Sequence, residues 1–341
     1  MLIFVAYHMS TCITGENNLA SPKRRAALIG ECMIELHGTL FGSMRQSFGG
    51  DSLNTALYLA RLSRGTIDVH FVSAVGTDEL SDGMVQRWND AGVATGLVLR
   101  DPDRLPGLYM VHVDEHGERA FTYWRGESAA RRLMQHQDFA RIATELAAMD
   151  IIYLSGISLA ILTPQDRVAM IDLLTALSRS GVQIALDSNY RPSLWPDRQS
   201  ACAAMSAIAS VSQLIITGFD DEQRLWHDAS PEETVARLRA NGAKTIVVKL
   251  GRAGSIYSVG SEIARVGAAP VSAVIDTTAA GDAFDAGFLA GWIMDRRPDE
   301  CCRAGSLLAA AVIQHPGAII PATAMPSLSM LYGAPAAKGL P

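Results

Sequence analysis

The chain predicts an α/β fold: one mostly parallel sheet covered by helices on both faces, with a small β-sheet lid beside it. Three observations carry that expectation. Short apolar runs alternate with helical patterns, no linker stands out after Ala26, and two stretches, 35–48 and 105–125, read as β ribbons outside the alternation.

Taken in order, Met1 to Val5 is apolar but lacks a basic segment and falls far short of the ~20 residues that span a bilayer. Residues 12–25 are polar, so 1–25 is expected to be a disordered N-terminal extension, or the product of an upstream start codon. From Ala26 the runs Ala26–Gly30, Val69–Gly76, Ile151–Ile157, Val182–Asn189, Gln213–Gly218 and Thr245–Gly251 read as strands. Right-handed βαβ units built from them would bind ligands at the carboxyl ends of the strands. The turn Phe48–Asn54 leads into an amphipathic helix that buries Leu53, Ala56, Leu57 and Ala60. In the second ribbon, with its turn at 114–118, Arg119, Phe121, Tyr123 and Arg125 share one face by the two-residue period, a face suited to covering a substrate or pairing with another subunit. An apolar helical pattern runs from Ala283 to Met294, and the Ala/Pro/Gly-rich tail is expected to be loose over 327–341, leaving 26–326 as one domain.

Composition narrows the function. Of 341 residues, 49% are hydrophobic and 19% charged, with a net charge of −6 and no Lys/Arg cluster, which argues against nucleic acid or an anionic membrane as partner. Five cysteines, odd in number and without Cys-x-x-Cys spacing, indicate neither a disulfide framework nor a zinc site, and fit a reducing, cytoplasmic setting. His112 and His116 are four apart, but the expected turn separates them and both read as surface residues.

Chemistry concentrates at residues 271–282, where a strand ending in small residues turns straight into a helix. Such a start leaves N–H groups unpaired and binds anions. Here Asp282 could accept a proton from a hydroxyl while the N–H groups of Ala279, Ala280 and Gly281 hold a phosphate, which points to phosphoryl transfer to an alcohol; Asp and Gly also favour helix starts and turns for structural reasons alone. There is no P-loop, dinucleotide fingerprint or His-Arg-Asp loop, so a nucleotide site must be built otherwise. Lys249–Gly254, at a strand end, either lets the backbone approach a nucleotide at Gly251 and Gly254 or makes a tight turn. Asp51 and Asn54 either present oxygen and amide groups to sugar hydroxyls or cap their helix. Asn189 and Arg191 follow a strand, where Arg191 is either a clamp for carboxylate or phosphate or an ordinary surface residue.

Asp276–Asp282 resembles the C-terminal signature of the ribokinase-like (PfkB) sugar kinases, whose usual Gly-Ala-Gly-Asp stands here as Ala279-Ala280-Gly281-Asp282. Gly49-Gly50 followed by Asn54 is similar to the family's sugar-binding motif. With Gly30–Leu36, Arg104–Tyr109, Tyr123–Arg125, Leu154–Leu162, Asp187–Trp195 and Gly317–Pro321, the chain from Ala26 to Met325 resembles the 2-keto-3-deoxygluconate kinase branch. The resemblance implies a ribokinase-like three-layer α/β/α sandwich with a β lid, and ATP-dependent phosphorylation of the sugar acid's C6 hydroxyl. It implies Asp282 as base and Ala279 to Asp282 as anion hole. Gly50, Asp51, Asn54, Tyr109, Tyr123 and Arg125 would hold the acid, with Arg191 near its carboxylate or the phosphates, while Asn189, Gly251, Gly254 and Gly281 line the nucleotide. Mg²⁺ would accompany ATP, Asp276 would help bind a monovalent cation such as K⁺, and a homodimer through the lid is plausible by the same resemblance. One departure stands out: the family's Asn-x-x-Glu reads Phe219-Asp-Asp-Glu222, leaving Glu222 as an indirect Mg²⁺ ligand. Arg125 and Arg191 favour an acid, because a neutral sugar would leave one guanidinium poorly paired. The alternatives are a kinase of this fold for a neutral sugar or nucleoside, and a non-catalytic sugar-acid sensor.

Overall fold

The computed structural model describes residues 23–113 and 119–333. Thirteen strands are found among them: β1 (Arg24–Ile29), β2 (Met33–Gly38), β3 (Met44–Gly49), β4 (Ile67–Val75), β5 (Val98–Arg100), β6 (Leu108–Val113), β7 (Arg119–Trp124), β8 (Ile151–Ser155), β9 (Gln183–Asp187), β10 (Leu214–Gly218), β11 (Thr245–Lys249), β12 (Ser255–Val259) and β13 (Glu262–Val266). Nine of them form one sheet, in the order β13-β12-β11-β10-β9-β8-β1-β4-β5, and four form the lid, in the order β3-β2-β6-β7. The large sheet is parallel from β11 to β5, and β12 and β13 extend it as an antiparallel hairpin.

The central strands are continuous apolar runs because both faces are covered. Side chains alternate between two cores. Leu28, Tyr153, Ile216 and Val247 pack against the helices Asp51–Ser63, Ala280–Ile293 and Pro298–Val312. Their neighbours Ile29, Ile152, Ile215 and Val248 pack against the helices Pro164–Arg179 and Arg198–Ala209 on the opposite face. This is the expected α/β/α sandwich. From β1 the chain builds outward through β4 and β5, then returns to β8 on the other side and builds the opposite way. A doubly wound sheet opens a crevice at such a reversal, above the carboxyl ends of its strands.

Several expectations need correction. Arg24 and Arg25 belong to β1, fixed by Asp150, whose Oδ2 accepts the Arg25 N–H at 2.7 Å, so only residues 1–22 of the expected extension lie outside the described residues. The Ile151 run stops at Ser155, whose hydroxyl caps the helix Gly156–Ala160 by accepting from the Ile157 N–H at 3.1 Å. The edge strands β5, β12 and β13 are additions to the sequence reading. Residues 328–332 of the supposedly loose tail are a short helix with Leu331 buried and the Tyr332 hydroxyl donating to Gly287 O. It seats because Gly291 has no side chain: a Cβ there would lie 2.4 Å from the Tyr332 oxygen. The turn 114–118 with His116, and Cys12, lie outside the described residues. Cys32, Cys202, Cys301 and Cys302 are free thiols. No described helix is long and apolar enough to cross a membrane.

Candidate active site

The helix Ala280–Ile293 opens from Ala279, which sits at φ 60°, a left-handed conformation that glycine adopts far more easily. Ala280 donates its N–H to Thr277 O at 3.2 Å, and Ala283 closes the first helical turn on Ala279 O at 2.9 Å. The N–H of Ala280, expected among the phosphate donors, is therefore spent on the turn. Those of Ala279, Gly281 and Asp282 find no acceptor among the described residues.

Asp282 meets the start of the Asp51–Ser63 helix. The Asn54 amide donates to its Oδ2 at 2.8 Å, and the Thr55 hydroxyl donates to its backbone oxygen at 3.3 Å. Burial pushes the Asp282 carboxyl up to about 7, and the charge of Asp51 adds to this, while the Asn54 hydrogen bond and Lys249 act against it. A carboxylate so tuned is poised to take a proton near neutral pH. Asp51 is held by the Asn189 amide at 2.8 Å, and Asn189, at φ 35°, donates its own N–H to Asp187 Oδ1 at 3.1 Å. Asn189, expected from sequence to line the nucleotide, is thus spent on Asp51 through its side-chain amide. Gly50 is required by space, since a Cβ there would stand 2.1 Å from Glu31 O.

Beneath this pair lies a charged cluster. The Lys249 ammonium donates to Asp187 Oδ2 at 2.9 Å and to Asp285 Oδ1 at 2.8 Å, and the Tyr153 hydroxyl donates to Asp285 Oδ2 at 2.9 Å. None of these side chains was assigned a role from sequence. The usable signals were a lysine closing the apolar strand Thr245–Lys249 and a single carboxylate, Asp285, inside the apolar helix that follows Asp282. Few burials are costlier than an ion's, so each such residue needs a partner.

On the lid side, Tyr109 donates its hydroxyl to Glu35, and Arg125 pairs with the buried Glu31. The rings of Tyr109 and Tyr123 lie 5.8 Å apart, and Phe121 stacks on Tyr123 at 6.3 Å. The shared face read from sequence holds for Phe121 and Tyr123, whereas Arg125 lies past the strand end. Burial raises the pKa of the Tyr123 hydroxyl, and the charges of Arg125 and Arg191 both oppose this. Arg191 itself donates to Asp221 Oδ1 at 3.1 Å. Both arginines therefore already have carboxylate partners, which overturns the argument that a neutral sugar would leave one of them unpaired. Glu31 was another residue missed. Its Oε1, with Ser52 Oγ, Asn54 Oδ1 and Arg125 Nε, is buried without a hydrogen-bond partner among the described residues. Unmet polar atoms of this kind cost roughly 1–3 kcal/mol each, and a polyhydroxylated ligand can satisfy them.

The remaining candidates separate. Gly251, at φ 55°, faces open space, whereas Gly254, at φ 88°, is demanded by packing, a Cβ there falling 2.0 Å from Val266 O. Glu222 is buried with one oxygen on the Thr217 hydroxyl at 2.6 Å and the other on the Arg237 guanidinium at 2.6 Å, so its carboxylate is committed within the protein. Asp276 accepts the Thr278 N–H at 2.9 Å and the Gly317 N–H at 2.6 Å, tying together the loops at the two ends of the helix pair. Among the described residues no group of three or more His, Cys, Asp or Glu side chains is arranged to hold a metal ion.

The profile described as pfkB family carbohydrate kinase matches residues 23–325. The chain is 47% identical over 309 residues to a 2-dehydro-3-deoxygluconokinase of Haemophilus influenzae, covering 89% of this chain and 98% of that one. It is 41% identical to the protein of the same name from Escherichia coli K12, covering 89% and 99% respectively. Among solved structures, a 2-dehydro-3-deoxygluconokinase from Thermotoga maritima superposes with a TM-score of 0.78 at 18% identity, over 91% of this chain and 97% of that one, and shares the fold.

Proposed function

The chain belongs to the pfkB family of carbohydrate kinases, and from that premise we propose that it is a 2-dehydro-3-deoxygluconokinase, transferring the γ-phosphoryl group of ATP to the C6 hydroxyl of 2-keto-3-deoxygluconate. The observation that carries the chemistry is Asp282, oriented by Asn54 at a helix start whose Gly281 and Asp282 N–H groups are unspent. The acceptor is carried by the near-full-length relatives of that name.

In the reaction the Asp282 carboxylate takes the proton of the C6 hydroxyl, the C6 oxygen forms the new bond to phosphorus, and the bond from phosphorus to the β,γ-bridging oxygen breaks, its electron pair leaving with ADP. Positioning and charge stabilisation do most of the work in so loose a transition state. Gly50, Asp51, Asn54, Tyr109, Tyr123 and Arg125 would surround the sugar, with Arg191 near its carboxylate or the phosphates. Gly251, which is exposed, and Gly281, whose N–H is unspent, would offer backbone to the nucleotide. With no carboxylate cage among the described residues and Glu222 committed to Arg237, Mg²⁺ would be held mainly by the triphosphate and water, where it neutralises phosphate charge. A K⁺ ion beside Asp276 would join the two loops that residue already ties. The exposed Trp124, on the opposite side of its strand from Phe121 and Tyr123, offers the lid an apolar contact for a second copy.

A second reading, a kinase for a neutral sugar, is favoured by the carboxylate partners of both arginines. A coupled ADP-release assay with MgATP separates the two, using 2-keto-3-deoxygluconate, 2-keto-3-deoxygalactonate, gluconate, fructose, ribose and adenosine. Selective turnover of the first is the expected result. Preference for fructose or ribose would overturn the acid assignment and leave Asp282 in place, while silence on all six would favour a sugar-acid sensor.

A further inference from the structure

Gly281 lies between two sources of positive potential. On one side are the unspent N–H groups of the helix start. On the other is Lys249: a Cβ built on Gly281 would stand 3.5 Å from the Lys249 ammonium, with no other side chain or distant backbone within 4 Å. Two of the three ammonium N–H bonds go to Asp187 and Asp285, and the third has no acceptor among the described residues. The side chain of Lys249 keeps 14% of its surface exposed while Asp285 keeps none, so the lysine is the member of the cluster that reaches the cleft. Its position is fixed from three elements: Asp187 ends β9, Asp285 lies one helical turn beyond Asp282, and Tyr153 in β8 anchors Asp285. Burial holds the Asp285 carboxyl well above the usual carboxylate range, with Lys249 opposing and Asp187 reinforcing the shift.

A phosphoryl group in transfer spreads charge over its oxygens and needs fixed cations or donors around it, a task the P-loop lysine performs in other nucleotide enzymes. This chain has no P-loop. We propose that Lys249 is the cationic donor of the phosphoryl-transfer site, its third N–H reaching past Gly281 to an oxygen of the transferring group, with Asp187 and Asp285 as positioning residues that aim it. The proposal rests on the kinase reading but on no particular acceptor.

The test uses the full-length enzyme and two variants, Asp285→Asn and the double variant Lys249→Met/Asp285→Asn, which removes the ammonium together with one buried carboxylate. For each, kcat is measured with the acceptor that the wild-type enzyme prefers, the Kd for ATP by calorimetry, and folding by circular dichroism. The double variant is expected to lose about 100-fold or more in kcat, as when an oxyanion-hole donor is removed, with ATP Kd within about threefold of wild type. Asp285→Asn, which keeps the ammonium and one partner, should lose about tenfold in kcat with ATP affinity unchanged, and it serves alone if the double variant does not fold. Wild-type kcat in either folded variant, or a loss confined to ATP affinity, would reduce the cluster to a structural brace. If the wild-type enzyme prefers a neutral sugar, only the acid assignment falls and Lys249 is judged on that sugar; a wild-type enzyme silent on every acceptor removes both readings.

Discussion

The two ends of the cleft are built on different plans. At the proposed phosphoryl end the charged side chains are buried or half-buried and each is held by another element: Asp282 by Asn54 of the helix Asp51–Ser63, Lys249 by Asp187 and Asp285, and Asp285 by Tyr153. The groups proposed for the acceptor come from the lid, a strand-end loop and the start of the helix Asp51–Ser63. Tyr123 is 52% exposed there, and Arg191 leans on Asp221 from a position 46% exposed. The contrast teaches where rigidity is needed. Charge developing on phosphorus rewards donors that do not move, whereas a polyol must enter and leave, which Tyr123 and Arg191 at the solvent side would allow.

The sharpest way to break this contrast is at Asp282. Asp282→Asn should lower kcat by two to four orders of magnitude with both KM values within about threefold, as steady-state kinetics will show. In the wild-type enzyme kcat/KM should fall about tenfold per unit below pH 7, because the base must be ionised and its pKa lies at about 7. The sign reverses for stability. A carboxyl raised above its unfolded value stabilises the fold when protonated and loses that contribution as pH rises through the folded pKa. Asp282→Asn should therefore melt at a higher temperature than wild type at pH 8, a gain that vanishes below about pH 4.

Arg125 tests the boundary between the two plans, because its partner Glu31 has a side chain only 1% exposed. Arg125→Ala leaves that carboxylate uncompensated and should cost about 3–5 kcal/mol in denaturant unfolding, besides raising the KM for the sugar acid. Arg191→Ala, at a half-exposed pair, should cost less than about 1 kcal/mol yet raise the same KM roughly tenfold. If both replacements leave that KM unchanged, neither arginine reads the acceptor's carboxylate. The smallest effect concerns Ala279. Ala279→Gly relieves a left-handed alanine and should stabilise the protein by up to about 1 kcal/mol with kcat unchanged, a shift visible in calorimetry.

Much of this was legible in the sequence because it depends on period and punctuation. The apolar runs mark β1, β4 and β8–β11, since strands covered on both faces have nowhere to place polar residues. The helix start at Ala279–Asp282 was legible from its local composition, whereas the strand read before it over 271–276 is absent and an irregular loop leads in. What stayed hidden depends on pairing across the fold. Nothing near Lys249 in the chain says that Asp187 and Asp285 wait 62 and 36 residues away. Arg125 looked like a free cation because Glu31, its partner, lies 94 residues earlier. The tail from 328 to 332 was misread because its seat is a groove over glycines of a distant helix, which composition does not register.

The hydrogen bond from Asn54 to Asp282 joins residues 228 apart, and Tyr58 reaches Ala318 O across 260. During synthesis the turn that carries Asn54 therefore leaves the ribosome 228 residues ahead of its partner Asp282, and the contact between them can form only when most of the chain has been made.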